Sequence, residues 1–122
     1  MNTNYGYLLL IEDEPTLQAI NTKILQRHGY TVKQAFTLEE ARGIISDAPP
    51  GGIILDINLP DGNGLDFLRE HRKNSEIPVL ILTALGTKED IIRGFEVGSD
   101  DYLIKPYDIP VFLMRVEALL KQ

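Results

Sequence analysis

The stretch Ile53-Ile54-Leu55-Asp56-Ile57-Asn58-Leu59-Pro60-Asp61-Gly62 decides how this chain is read. A short aliphatic run, rich in Ile, ends in a carboxylate, and a Pro-Asp-Gly turn signal follows. A run this short and this apolar reads as a strand buried on both faces. Residues 59–62 read as the loop that turns the chain back, which leaves Asp56 at the strand's end.

Working outward, other apolar runs alternate with helical periods. Tyr7-Leu8-Leu9-Leu10-Ile11 ends in Glu12-Asp13-Glu14. Val79-Leu80-Ile81-Leu82 ends in Thr83, and Tyr102-Leu103-Ile104 ends in Lys105-Pro106. Residues 30–35 form a weaker, half-polar strand suited to a sheet edge. Pro15 stands where a first helical residue belongs, with carboxylates before it as caps. Leu17, Ile20, Ile24 and Leu25 follow at helical spacing, and His28-Gly29 closes that helix. Thr37 with Glu40 reads as a capping box for a helix with Leu38, Ala41, Ile44 and Ile45 on one face. Pro49-Pro50-Gly51-Gly52 breaks it. Leu65, Phe67 and Leu68 mark a short third helix to about residue 73. Asn63-Gly64 suggests a hairpin turn on its own, but no alternating strands flank it, so that reading is rejected. Thr87 caps a fourth helix with Ile91, Ile92 and Phe95, stopped by Gly98. Asp108 caps a fifth, with Phe112, Leu113, Val116, Leu119 and Leu120.

This alternation, with continuous aliphatic strands, predicts a parallel sheet covered on both faces. Right-handed crossovers then put every strand's carboxyl end on one edge, where such sheets bind ligands. Glu12, Asp13, Asp56, Thr83 and Lys105 gather there. Carboxylates ~4 Å apart repel by roughly 4 kcal/mol per pair at an effective dielectric of ~20, so a proton or cation must relieve them. Lys105 can pair with Asp56. All-oxygen ligands, too few to complete a shell, suit Mg²⁺, which keeps several waters and favours phosphate partners. With Lys105 and Thr83 added, the edge becomes an electrostatic cage for a phosphoryl group in transit. Asp56, central and at the end of the most buried strand, is the best nucleophile.

The totals bound the function classes. The 122 residues suffice for one domain with a core. There is no Cys, which excludes disulfides and thiolate chemistry. The net charge of −6 argues against nucleic-acid binding by this segment and suits a divalent cation or a basic partner; plain solubility explains it equally well. No apolar stretch reaches membrane-span length, and Met1-Asn2-Thr3-Asn4-Tyr5 lacks a basic leader, so the expected compartment is the cytoplasm.

Leu10-Ile11-Glu12-Asp13-Glu14, Ile54 through Gly62, Leu82-Thr83-Ala84 and Lys105-Pro106 together resemble the signature set of response-regulator receiver domains. Each motif is weak alone. Four in the right order, each at a strand end, are specific, and the resemblance covers nearly the whole chain, so 1–122 is expected to be one receiver domain with any effector domain outside this chain. It implies an α/β flavodoxin-like fold with five parallel strands in the order 2-1-3-4-5 and five helices. It further implies that Asp56 accepts a phosphoryl group from a phosphohistidine on a sensor histidine kinase. Asp13 and Asp56 would bind Mg²⁺ by side chain, Asn58 by its backbone carbonyl, and Glu12 mostly through a metal-bound water. Thr83 and Lys105 would hold phosphoryl oxygens. Tyr102 would be the switch aromatic, turning inward behind Thr83, and Lys105-Pro106 a cis peptide. The implied role is phosphorelay signalling without turnover of an external substrate. Moving a two-state switch from 1:99 to 99:1 takes ~5.5 kcal/mol, while a hydrogen bond to a charged group is worth ~1.5–3 kcal/mol. Thr83 alone therefore cannot complete the switch.

The stretch from Gly98-Ser99-Asp100-Asp101-Tyr102 through Arg115-Val116 resembles the OmpR-like subfamily, whose members dimerise through the fourth helix, fifth strand and fifth helix. Arg93, Asp100, Asp101 and Arg115 fit that face. Val111 stands where Glu is common and Ile91 where a basic residue is common, so an apolar contact would replace one ion pair. Glu12 replaces the commoner Asp. The subfamily favours transcriptional output through a separate DNA-binding domain; a stand-alone regulator or adaptor is the alternative. An aspartyl-phosphate phosphohydrolase would need an acid at Asn58, and a flavodoxin-type binder a hydroxyl-rich loop in place of Glu12-Asp13-Glu14. His28 and His71 lie off the carboxyl edge and read as surface or helix-end residues.

Overall fold

The computed structural model describes residues 6–121; the Met1–Tyr5 start and the final Gln122 discussed above lie outside them. The strands are β1 (Tyr7–Ile11), β2 (Thr31–Ala35), β3 (Gly52–Leu55), β4 (Asn58–Leu59), β5 (Gly62–Asn63), β6 (Val79–Thr83) and β7 (Asp101–Ile104). The helices are α1 (Pro15–Arg27), α2 (Leu38–Asp47), α3 (Gly64–Arg72), α4 (Lys88–Val97) and α5 (Ile109–Leu120). The main sheet runs β2-β1-β3-β6-β7, with every pairing parallel. This is the expected 2-1-3-4-5 order, because β4 and β5 form a separate antiparallel pair between the third and fourth main strands.

The sheet divides two apolar layers. Leu9, Ile11, Ile53, Leu55 and Ile81 face α2, α3 and Tyr102. Leu8, Leu10, Ile54, Leu80 and Leu82 face Leu25 of α1 and Phe112, Val116 and Leu119 of α5. Alternate residues of one strand thus serve opposite layers, which is why β1, β3 and β6 are buried throughout. Strand β2, the half-polar run, lies at the edge with only Ala35 fully buried.

Several local expectations need correction. Residues 58–63 do form a small hairpin, but its tip is Pro60-Asp61, and Asn63 instead caps α3 by accepting from Leu65 N at 2.7 Å. At α2, Thr37 accepts from Glu40 N, but the Glu40 carboxylate reaches Phe36 N at 2.7 Å, so the box is incomplete. The complete capping box belongs to Thr87 and Asp90 on α4. Asp108 occupies the α5 N-cap without a side-chain bond; Pro110 in the first turn lacks an N–H to cap. On α4, Ile91 and Val97 pack on the core, while Ile92 and Phe95 are about half exposed.

Helix α1 differs most. Its buried positions are Gln18, Asn21, Thr22 and Leu25, while Ile20 is 47% exposed. Ile20 looks outward and Leu17 is half-buried, while Ile24 packs partly against the core. Most of the buried polar face is bonded, the Asn21 Nδ2 excepted: Gln18 Nε2 lies 3.0–3.2 Å from the carbonyls of Leu10, Glu12 and Ala35. Thr22 donates to Gln18 Oε1 at 3.1 Å, and Gln34 donates to Thr22 at 3.0 Å.

At the opposite edge of the sheet, Arg72 ties three segments together. It donates to Gly98 O at 2.9 Å, Ile77 O at 2.6 Å and Asp100 Oδ2 at 2.8 Å. Asp100 Oδ2 also accepts from Val79 N at 2.8 Å. Arg72→Ala removes this donor from the Gly98 and Ile77 carbonyls and leaves Asp100 with the Val79 N–H. Urea denaturation is expected to show about 2 kcal/mol lower stability, within the range for charge-assisted bonds at a partly exposed site.

Candidate functional site

The carboxyl edge gathers the expected groups. Burial of β1 and β3 delivers Glu12 and Asp56 with little freedom: they are 2% and 8% exposed. Asp13, exposed, completes a set whose ligand oxygens lie within 4.8 Å of one another. Lys105 follows β7, and its Nζ lies 2.6 Å from Glu12 Oε1 and 3.0 Å from Asp56 Oδ2. Backbone donors take other oxygens: Glu14 N reaches Glu12 Oε2 at 3.1 Å, and Ile57 N reaches Asp56 Oδ1 at 2.7 Å. Thr83 is buried at the end of β6, and the Lys105 N–H donates to its carbonyl at 2.8 Å. The Lys105-Pro106 peptide is cis.

Charge dominates here. Three carboxylates and one ammonium leave two negative charges in a small volume. The Glu12 carboxyl is held above its ordinary range, chiefly by burial and further by Asp56, against the Lys105 hydrogen bond and charge and the Glu14 N–H. Burial alone would lower Lys105, but its bonds to Glu12 and Asp56 outweigh that and raise it. The donor set is all oxygen, incomplete and doubly negative, so a hard divalent cation of Mg²⁺ type fits it.

Two aromatics frame the edge. The Tyr102 ring is turned inward, 7% exposed, and its hydroxyl donates to Leu85 O at 2.6 Å, two residues beyond Thr83. Burial, then Asp90 and Asp56, push this phenol up to about 12. Gly94 of α4 makes room for the ring: a Cβ there would lie 2.8 Å from Tyr102 Cδ2 and Cε2. The Tyr107 hydroxyl donates to Asn21 Oδ1, joining the loop after Lys105 to α1. Neither Asn21 nor Gln18 carries a sequence signal, because polar residues on a helix read as its solvent face.

Gly64 matters for the same region. A Cβ there would fall on the Asp56 carbonyl oxygen, and Gly64 N donates to Ile57 O at 2.6 Å. The loop after Asp56 therefore closes tightly under α3. On the face formed by α4, β7 and α5, Arg115 pairs with Asp101 at 2.8 Å within the chain. Asp100 is engaged by Arg72, Arg93 is exposed, and Val111 is half-buried. His28 lies at the C-terminus of α1, and His71 stacks on Phe67 of α3; neither approaches the carboxylates.

Comparison with known proteins matches this geometry. The family model described as the response regulator receiver domain matches residues 8–117. The chain belongs to this family. Among curated relatives, RpaA of Synechocystis, described as a DNA-binding dual master transcriptional regulator, is 39% identical over 94% of this chain and 49% of its own length. The transcriptional regulatory protein PmrA of Pectobacterium parmentieri is 41% identical over 94% of this chain and 52% of its own. The receiver chain thus spans about half the length of these relatives. Among solved structures, the BeF3-activated N-terminal receiver domain of Klebsiella pneumoniae RstA superposes with a TM-score of 0.92 at 27% identity, covering 96% of this chain and 100% of that one. The receiver domain of Francisella response regulator 1452 gives 0.90 at 32%, covering 95% and 97%. The relatives support the OmpR-like resemblance, and the receiver domain is a signalling module of two-component phosphorelays. Among the described residues, no helix is long and apolar enough to cross a membrane.

Gly94→Ala sets two effects against each other. Helix propensity favours Ala by about 1 kcal/mol, while overpacking costs about 1–3 kcal/mol. Because the clash is with a buried ring, the second is expected to win, lowering stability and shifting the Tyr102 ring resonances in NMR spectra.

The raised Glu12 carboxyl means the folded protein holds this proton more tightly than the unfolded chain does. Its ionisation therefore costs stability as pH rises through the region just above 4.5, and acidification returns it. Between pH 7 and pH 5, the metal-free protein should gain thermal stability relative to Glu12→Gln measured at the same two pH values.

Proposed function

We propose that this chain is the phosphoacceptor receiver of a two-component regulator, with Asp56 taking a phosphoryl group from a phosphohistidine of a sensor histidine kinase. The observation that carries this reading is the setting of Asp56. It ends the central strand, pairs with Lys105 at 3.0 Å, and lies with Glu12 and Asp13 within cation-sharing distance. Mg²⁺, held by Asp13, Asp56 and the Asn58 carbonyl, with Glu12 acting through water, would supply the charge neutralisation that phosphoryl transfer needs.

In the proposed transfer, an Asp56 carboxylate oxygen attacks phosphorus. The O–P bond forms as the P–N bond to the donor imidazole breaks, and the imidazole leaves with that electron pair. Lys105, which rests on Asp56 Oδ2, moves with the charge onto a phosphoryl oxygen. The Thr83 hydroxyl donates to another. Tyr102, already inward with its hydroxyl on Leu85 O, would couple a movement of Thr83 to α4 through Gly94. One hydrogen bond of ~1.5–3 kcal/mol is too little to complete the switch, so Lys105 and a partner surface contribute the rest.

An apolar groove beside Lys105, lined by Leu17, Ile20, Ile24, Pro106 and Ile109, supports a protein donor. The groove runs along Leu17, Ile20 and Ile24 of α1 and adjoins the acidic edge at Lys105. Exposed Ile92, Phe95 and Met114 near Arg93, Val111 and Arg115 support contact with a second copy through α4, β7 and α5. The doubled length of the relatives supports transcriptional output through a DNA-binding segment outside this chain.

Incubation with acetyl phosphate and Mg²⁺ should add one phosphoryl mass, labile to hydroxylamine and absent from Asp56→Asn and from chelator-treated protein. Equal labelling of Asp56→Asn would sink the assignment.

A further inference from the structure

We infer that Asp61 is a positioning residue for the cation site, acting through the loop that carries Asn58. The inference rests on the Mg²⁺ reading above and extends it to a residue outside the cluster.

The loop after Asp56 has little to hold it. Its hairpin consists of two pairings, Asn58 with Asn63 and Leu59 with Gly62. Its base is anchored by Gly64 N on Ile57 O, where the missing Cβ permits close approach. Its tip is anchored by the Asp61 carboxylate. Oδ1 accepts from Leu38 N at 2.9 Å, and Oδ2 accepts from Glu39 N at 3.0 Å. These are the first two N–H groups of α2, which have no partner inside the helix. A carboxylate there is also favoured by the helix dipole. Asn58 lies between the two anchors, and its exposed side chain adds no hold of its own. Without the Asp61 contact, the hairpin keeps its base and the packing of Leu59 on the core but loses its side-chain tie to α2, and the Asn58 carbonyl, a ligand in the Mg²⁺ reading, is held less firmly.

Helix α2 offers an internal control. Thr37 caps the same N-terminus through Glu40 N at 3.1 Å and, among the described residues, has no hydrogen bond to the loop. Thr37→Ala and Asp61→Ala therefore both weaken the start of α2, while only the second removes the hairpin's side-chain tie.

The test is a Mg²⁺ titration of the full chain followed by amide NMR shifts, with no phosphoryl donor present. Asp61→Ala should raise the Mg²⁺ Kd about 3- to 10-fold, at or below the low end for supporting-residue substitutions. Asp61→Asn, which keeps one carbonyl acceptor, should fall between it and wild type and serves if Asp61→Ala does not fold. Thr37→Ala should bind as wild type does. Wild-type affinity in the Asp61 variants overturns the inference, as does equal weakening in Thr37→Ala. Absence of Mg²⁺ binding in the wild-type protein overturns both this inference and the metal reading beneath it.

Discussion

The Lys105 ammonium stands between two carboxylates that the sheet forces together. At 2.6 Å from Glu12 and 3.0 Å from Asp56, it offsets a repulsion that neither acid can escape, because both follow buried strands. One positive charge does not balance three negative ones. The uncompensated charge defines the site's appetite for a divalent cation, while burial is the main reason the Glu12 carboxyl is raised. A neutral side chain at 105 would leave buried charge without a partner, which is costly in a low-dielectric setting.

Around this centre, the loops are held by polar contacts from outside the sheet. Gln18 bonds the carbonyls on either side of the β1 terminus and the end of β2. Asn21 takes the Tyr107 hydroxyl just beyond Lys105-Pro106. Asp61 fixes the hairpin after Asp56 to α2. The carboxyl edge is thus buttressed by α1 on one side and by α2 on the other. On the far side, Tyr102, Leu85 and Gly94 connect Thr83's neighbourhood to α4. The core is apolar, and the polar groups that hold the site sit at its rim.

The fold was legible because aliphatic runs and helical periods alternate without ambiguity, and the site because each long strand ends in a charged or hydroxyl residue. Where reading failed, a tertiary contact had overruled a local pattern. The apolar positions of α1 are only half its inner face: Leu25 and part of Ile24 reach the core, but Gln18, Asn21 and Thr22 are buried beside them through contacts that no periodicity reveals. Spacing marks Ile91, Ile92 and Phe95 alike on the fourth helix, yet only the structure shows that Ile91 packs on the core while Ile92 and Phe95 are about half exposed. Glu40 follows Thr37 at box spacing but bonds Phe36 N.

By itself, then, the sequence determined the elements, the parallel sheet and the set of residues delivered to its carboxyl edge, because hydrophobic period and strand-end chemistry are local properties of the chain. Strand order came from family resemblance and was met by the sheet. Only the tertiary structure decided which face of α1 is buried, that Lys105 serves Glu12 as well as Asp56, that Tyr102 lies inward against Gly94, and that Asp61 reaches α2. Each of these depends on distances between residues far apart in the chain, and such distances exist only once the sheet and its crossovers have closed.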